Sequence, residues 1–150
     1  VTGVQTCALP ISSKWINTPY LKSNHLFNLN KAKRKIAEKN YCFIVEGYYD
    51  AMRLSELGFN SVIGLCGTSL TNAQCDLLYR YTDKLIVMLD GDDAGKTATN
   101  RLVAKARSKR LYCSIVDLPD KLDPDDLSEE ILQFICEETE NSEEELYIKL

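Results

Sequence analysis

Polar and apolar positions along the chain alternate between short apolar runs and longer amphipathic stretches. Tyr41–Glu46 and Lys84–Leu89 are almost unbroken apolar runs, the pattern of strands buried on both faces. Ser61–Leu65 and Leu111–Asp117 read as two more strands. A helix is predicted from about Tyr48, with Tyr48, Ala51, Met52 and Leu54 turned inward and Gly58 as its C′ residue. Thr71-x-x-Gln74 is a capping box that opens another helix, with Ala73, Leu77, Leu78 and Tyr81 at helical spacing. A third runs over Asp93–Lys109, where Ala94, Ala98, Leu102 and Ala106 recur every four residues. Before the first strand, Asn30 is placed to cap a basic helix, Lys31–Lys39. After the fourth, the loop Leu118–Asp126 leads into an acidic helix. Strands alternating with helices predict an α/β fold: a parallel four-stranded sheet with right-handed crossovers and helices on both faces.

In such sheets ligands bind beyond the carboxyl ends of the strands. The first strand ends in Glu46-Gly47-Tyr48-Tyr49-Asp50, and the third in Asp90-Gly91-Asp92-Asp93-Ala94-Gly95-Lys96. The loop after the fourth carries Asp123-Pro124-Asp125. Glu46, Asp90, Asp92, Asp123 and Asp125 therefore fall at one edge. An unpaired charge at a buried strand end costs several kcal/mol or more. Acids gathered there need a counter-charge, which a divalent cation commonly supplies. The pattern points to metal-dependent phosphate chemistry.

Blander readings exist for each part. Asp90-Gly91 would suit a hairpin turn, but the segment after it is helical. Glu46 and Asp50 would favour a helix N-terminus through its dipole, and Asp123–Asp126 would serve as a turn and N-cap. Gly67-Thr68-Ser69 would serve as an ordinary strand-to-helix turn. Gly91–Thr97 imitates a phosphate-binding loop of the G-x-x-x-x-G-K-[ST] type, but it is one residue short between the glycines. Two acids also occupy the stretch whose backbone would have to cradle phosphate.

Composition narrows the class. The 150 residues suit one ordinary domain, and no apolar run is long enough to cross a membrane. The net charge of −4 conceals a division. Residues 1–110 carry 16 basic against 9 acidic side chains, a net +7, and residues 111–150 carry 2 against 13, a net −11. A basic front suits a polyanionic partner, although the helix bearing Lys31, Lys33 and Arg34 would equally suit a solvated face. The six cysteines form no C-x-x-C pair and there is a single histidine, which argues against zinc and for reduced, buried thiols in a cytoplasmic protein. Residues 1–12 show no period and lack the basic start of a secretory signal. They resemble a translated sequencing-adapter read-through, and are set aside as a non-native or unstructured leader to a piece of a longer protein.

In order along the chain, Glu46-Gly47-Tyr48-Tyr49-Asp50, Gly67-Thr68-Ser69, Asp90-Gly91-Asp92-x-Ala94-Gly95 and Asp123-Pro124-Asp125 resemble the Toprim domain of bacterial (DnaG-type) primases. The stretch Tyr20-Leu21-Lys22-Ser23 through Leu26–Lys33 is similar to the segment leading into that domain. The resemblance spans about Trp15 to Leu127. It implies residues 13–40 as the end of a basic subdomain, 41–127 as the Toprim domain and 128–150 as an acidic helical segment. It further implies synthesis of short RNA primers on single-stranded DNA from ribonucleoside triphosphates. Glu46, Asp90 and Asp92 would be metal ligands for Mg²⁺ or Mn²⁺, two ions in all, with Asp50, Asp123 and Asp125 as accessory acids. Lys31, Lys33, Arg34 and Lys96 would meet nucleic-acid or nucleotide phosphates. A replicative helicase would be met through a C-terminal region outside this chain. The Glu plus Asp-x-Asp pattern is shared with Toprim nucleases and topoisomerases, and with Toprim modules that only bind DNA, so those readings stand as alternatives.

Overall fold

The structure, a computed structural model, describes residues 18–65, 67 and 69–150. The leader expected over residues 1–12 lies outside them, as do Cys66 and the central Thr68 of Gly67-Thr68-Ser69. The sheet holds five strands: β1 (Cys42–Val45), β2 (Val62–Gly64), β3 (Lys84–Val87), β4 (Tyr112–Asp117) and β5 (Tyr147–Lys149). Their spatial order is β2-β1-β3-β4-β5, and every pairing is parallel. The helices are α1 (Leu29–Lys39), α2 (Tyr48–Glu56), α3 (Asn72–Leu78), α4 (Asp93–Ser108) and α5 (Glu129–Asn141).

Burial on both faces follows from the period of two along each strand. Cys42 and Ile44 of β1, with Leu85 and Val87 of β3, meet α1, α3 and α4 through Ile36, Leu78 and Leu102. Phe43 and Val45, with Ile86, meet α2 and α5 through Leu54, Leu132 and Ile135. Each such side chain, fully buried, contributes about 1.5–3 kcal/mol by leaving water. The four described cysteines, Cys42, Cys75, Cys113 and Cys136, are free and buried, as their apolar settings in the sequence predict.

The fifth strand departs from the four expected. Tyr147-Ile148-Lys149 is three residues long and follows a run of acids, so neither periodicity nor propensity marks it. It is recruited by tertiary contacts. Glu145 accepts from the Cys113 backbone N–H (2.7 Å) and pairs with Arg107 (2.6 Å), and the Leu146 N–H donates to Ser114 Oγ. Its crossover is also unusual. The connections β2–α3–β3 and β3–α4–β4 step across the sheet over one face, and β1–α2–β2 steps the other way over the opposite face, so all three share one hand. The β4–α5–β5 connection steps like β3–α4–β4 but over the α2 face, and so has the opposite hand.

Local details sort the helix expectations. Gly58 is the C′ residue of α2, at φ 95°, with Gly58 N–H donating to Ser55 O and Phe59 N–H to Leu54 O in a Schellman arrangement. Thr71 and Gln74 form the expected capping box. Of the residues expected to face inward on α2, Ala51 and Leu54 are buried, Tyr48 is half-buried and Met52 is exposed. In the spacing patterns of α3 and α4, Ala73 and Ala94 are exposed while Gln74, Cys75 and Gly95 take buried positions. Asn30 does not cap α1. That position falls to Asn28, at φ 70°, whose side-chain amide donates to the Val62 carbonyl (3.0 Å) instead of capping.

Gln74 also reaches beyond its own helix. It is 2% exposed, and its amide nitrogen donates to the carbonyls of Lys22 (3.0 Å) and His25 (2.7 Å), while Thr71 Oγ1 donates to Ser23 O (2.6 Å). Residues 22–25 are thereby fastened to α3. Gln74→Ala leaves two carbonyls and the Thr71 N–H without these partners, and is expected to lower stability by about 1–3 kcal/mol in urea unfolding.

Candidate metal centre

The topology turns around at β1. The chain leaves its carboxyl end for β2 on one side, and later returns to β3 on the other. The crevice at such a reversal is where ligands bind in open α/β sheets. Glu46 follows β1 directly and Asp90 lies just past β3. Together with Asp50, Asp123 and Asp125 they line one cleft of about 460 Å³, whose wall also includes Tyr48 and Tyr49. Five of the six expected acids are thus brought together. The sixth, Asp92, stands beside them and bears electrostatically on both Glu46 and Asp90.

Each acid is placed by a local rule. Asp50 is the third residue of α2 and reaches back to accept from the Gly47 N–H (3.0 Å), half of a capping box. Asp92 is the N-cap of α4 and accepts from Gly95 N–H at 2.7 Å. The second glycine of Asp90-Gly91-Asp92-x-Ala94-Gly95 is required because a Cβ on Gly95 would overlap the Asp90 carbonyl. The loop after β4 is tied in by the Gly91 N–H, which donates to Leu122 O (2.9 Å). A Cβ on Gly91 would overlap the Pro119 carbonyl. Asp123 then heads the short 3-10 turn Pro124–Asp126, with its backbone N–H donating to Asp126 Oδ2 (2.9 Å). The turn-and-cap reading of Asp123–Asp126 holds, and the same turn brings Asp123 and Asp125 to the wall of the acidic cleft.

Asp126, which the sequence reasoning treats only as part of a turn, is brought beside Asp123 and Asp125 by the fold. Among the described residues, one group of acids has carboxylate oxygens all within 4.8 Å of one another, and it is Asp123, Asp125 and Asp126. The Asp-Pro-Asp-Asp spelling was visible, but which of its acids share a face depends on the 3-10 turn.

The electrostatics carry the same message. Burial raises the Glu46 carboxyl above its ordinary range, and Asp92, Asp50 and Asp123 add to the effect. Burial likewise raises Asp50, against the opposing Gly47 N–H. Asp90 is pushed up to about 7 by burial first and then by Glu46, Asp123, Asp50 and Asp92. A set of carboxylates supplies the hard oxygen donors that divalent cations take, and such an acidic cluster can bind metal.

The expected basic residues sit elsewhere. Lys31, Lys33 and Arg34 are exposed on α1 and do not line the acidic cleft. Lys96, on α4, lines a neighbouring cavity that shares Asp90, and pairs with Asp120 at 2.8 Å.

A family model described as Toprim-like matches residues 43–128. The chain belongs to the Toprim-like family. Its Toprim unit is similar to that of DNA primases. The DNA primase of Aquifex aeolicus (strain VF5) is 36% identical over 140 residues, covering 91% of this chain and 28% of that protein. The DNA primase of Enterococcus faecalis is 36% identical over 118 residues, covering 75% and 19%. The chain thus spans under a third of the length of these relatives. Among solved structures, the Aquifex aeolicus primase (zinc-binding and RNA polymerase domains) superposes with a TM-score of 0.79 at 34% identity, over 88% of this chain and 35% of that one. A DnaG primase catalytic domain bound to single-stranded DNA superposes with a TM-score of 0.73 at 31% identity, over 85% and 44%. No helix among the described residues is long and apolar enough to cross a membrane.

Two outcomes follow from the geometry of the Toprim acids. The Asp90 carboxyl binds its proton more tightly in the folded state, so its contribution to stability is greatest at acid pH. That contribution is lost as pH rises from its ordinary value of 3.8 through about 7. Thermal melts in chelator should show the loss. Mg²⁺ or Mn²⁺ should raise Tm more above pH about 7 than below pH about 5, where protons compete for the same oxygens. Asp90→Asn should raise the metal-free Tm at the higher pH and shrink the metal-induced rise. Separately, Gly91→Ala should push the Leu118–Leu122 loop away from β3, destabilise by about 1–3 kcal/mol and blunt the metal response in the same melts.

Proposed function

We propose that this chain is part of the catalytic core of a DNA primase, which makes short RNA primers on a single-stranded DNA template in a metal-dependent nucleotidyl transfer. The observation that carries the reading is the convergence of Glu46, Asp50, Asp90, Asp123 and Asp125 on one cleft at the sheet reversal, in a chain 36% identical to a DNA primase over 140 residues. Residues 41–127 act as the Toprim domain, 13–40 as the end of the basic subdomain before it, and 128–150 as the acidic segment after it. The whole protein works in the cytoplasm during DNA replication, and reaches its replicative helicase through regions outside this chain.

In the reaction, the 3′-oxygen of the growing primer attacks the α-phosphorus of a ribonucleoside triphosphate, and pyrophosphate leaves. Phosphoryl transfer of this kind needs charge neutralisation and in-line placement more than covalent help. Glu46, Asp90 and Asp92 would hold divalent metal, with Asp50, Asp123 and Asp125 supporting the same site. Two such ions, Mg²⁺ or Mn²⁺, supply Lewis-acid polarisation of the attacking hydroxyl and of the phosphates when bound. The helix N-terminal anchoring of Asp50 and Asp92 fixes where those carboxylates stand before substrate arrives. Lys96 is free to exchange Asp120 for a phosphate, because an exposed ion pair of that kind is worth only about 0–1 kcal/mol. Lys31, Lys33 and Arg34 attract the template backbone through a salt-dependent, sequence-independent attraction.

The test replaces the matching span of the Aquifex aeolicus primase with this chain, beside an Asp90→Asn version, and supplies single-stranded DNA, ribonucleotides and Mg²⁺ or Mn²⁺. Short RNA products are expected, reduced by at least about a hundredfold in Asp90→Asn, a loss of about 2.7 kcal/mol in the transition state. Metal-dependent cutting of the DNA without RNA would move the chain to the Toprim nucleases. DNA binding indifferent to metal and to Asp90, without RNA, would mark a non-catalytic module.

A further inference from the structure

The backbone that carries Glu46 is met by a residue from outside the acidic edge. Phe27, just before α1, forms a two-bond antiparallel bridge to Gly64 at the end of β2. Its N–H donates to the Gly64 carbonyl (2.9 Å), and its carbonyl accepts from the Gly64 N–H (3.2 Å). Gly64 lies close against the residue after Glu46. A Cβ on Gly64 would come within 2.9 Å of the Gly47 carbonyl oxygen and 3.5 Å of Phe27 Cβ. The Phe27 ring meets Tyr48 edge to face, at 4.8 Å between ring centroids. Asn28 extends the contact along α2, its amide nitrogen donating to the Val62 carbonyl (3.0 Å) and to Ser55 Oγ (3.4 Å). Phe27 thus bears on Gly47 through Gly64 and on Tyr48 directly, the two residues that follow Glu46. Packing against the core on the α2 face would explain an apolar side chain at position 27. It would not explain a glycine at position 64, which the close approach of Gly47 does.

We propose that Phe27 is a positioning residue for the metal centre: with Gly64 it braces the Glu46-Gly47-Tyr48 backbone, so that the Glu46 carboxylate stands at the cleft before a cation arrives. The inference rests on the reading of Glu46 as a metal ligand, and adds to that site a residue that touches no metal. The need for a brace is electrostatic. Glu46 shares its cleft with Asp50, Asp90, Asp123 and Asp125, and like charges gathered in one place push apart. Asp50 and Asp92 answer that push through the N-termini of their own helices, where backbone N–H groups donate to them. Glu46 stands before its helix, which begins at Tyr48, so its place depends on the backbone that leads out of β1. That backbone rests on Gly64, and Gly64 is clasped from its other edge by Phe27. Ligands fixed in advance lose less on binding than ligands that must first be gathered.

The experiment measures Mn²⁺ binding to the 150-residue chain from the EPR signal of the free ion, beside thermal melts in chelator. Phe27→Ala removes the ring and keeps the backbone bridge, whereas Gly64→Ala drives a methyl group at the Gly47 carbonyl. Each is expected to weaken Mn²⁺ binding about tenfold, as loss of a residue that orients a metal ligand commonly does, and Phe27→Tyr to restore it. Phe27→Leu, which keeps apolar bulk, takes the place of Phe27→Ala if the latter does not fold. Leu111→Ala, in the core just before β4 and at the far end of the sheet, should lower Tm and leave Mn²⁺ affinity as in the parent. Asp90→Asn reports on the site itself. If it weakened binding while either brace variant bound Mn²⁺ as the parent does, the brace would be overturned and the metal site would stand. If Leu111→Ala weakened binding as much as Phe27→Ala at a similar Tm, the loss would be one of stability and the proposal would fall. A parent chain that bound no Mn²⁺, or bound it equally well as Asp90→Asn, would remove the metal reading and the brace together.

Discussion

Repulsion among like charges is the constraint to which the carboxyl edge of this sheet is built. Glu46 and Asp90 lie just past the carboxyl ends of neighbouring parallel strands, so the sheet delivers both to one cleft. Left to themselves, such groups would either protonate or move apart. The structure counters the second tendency with backbone anchors: Gly47 N–H on Asp50, Gly95 N–H on Asp92, and the Gly91–Leu122 bridge that brings up the Asp123 loop. These bonds hold the acids near each other at a cost, from burial first and mutual repulsion second, that shows in the raised Asp90 and Glu46 carboxyls. An arrangement that is costly without cations is thereby prepared for them.

Much of this was legible in the sequence because the relevant signals are local. The runs at Cys42–Val45 and 85–89 are apolar throughout, the pattern of a doubly covered strand, and Thr71-x-x-Gln74 spells its own helix start. The edge that gathers the acids follows from the rule that parallel strands end together. What could not be read depends on contacts across the chain. Tyr147–Lys149 becomes a strand because Glu145 and Leu146 dock on Cys113 and Ser114, about thirty residues earlier in sequence. Asn28 replaces Asn30 at the start of α1 because its side chain is drawn to β2. Gly95 displaces Ala94 from the interface because the helix approaches Asp90 too closely for any side chain.

The same distinction separates the site's parts. Glu46, Asp90 and Asp92 were named by their position at strand ends, whereas Asp126 enters only once the turn after Asp123 is formed. The placement of Tyr20 and His25 was hidden for a similar reason. They lie in a stretch without period, and the hydrogen bonds of Thr71 and Gln74, some fifty residues away, give it a defined place. Sequence patterns reveal residues whose role follows from their own element. They are silent about residues whose role is lent by another element.

The short fifth strand has a consequence for the molecule in crowded solution. β4 is six residues long, and without β5 it would end the sheet as a row of open backbone donors and acceptors, a template for pairing with another chain. Tyr147–Lys149 covers part of that row, pinned by the Tyr147 hydroxyl on Asp117 (2.6 Å). Where it pairs, β5 takes up backbone groups that β4 would otherwise offer, and shows an exposed tyrosine and lysine beside them. The segment that sequence patterns passed over thus guards the sheet against self-association.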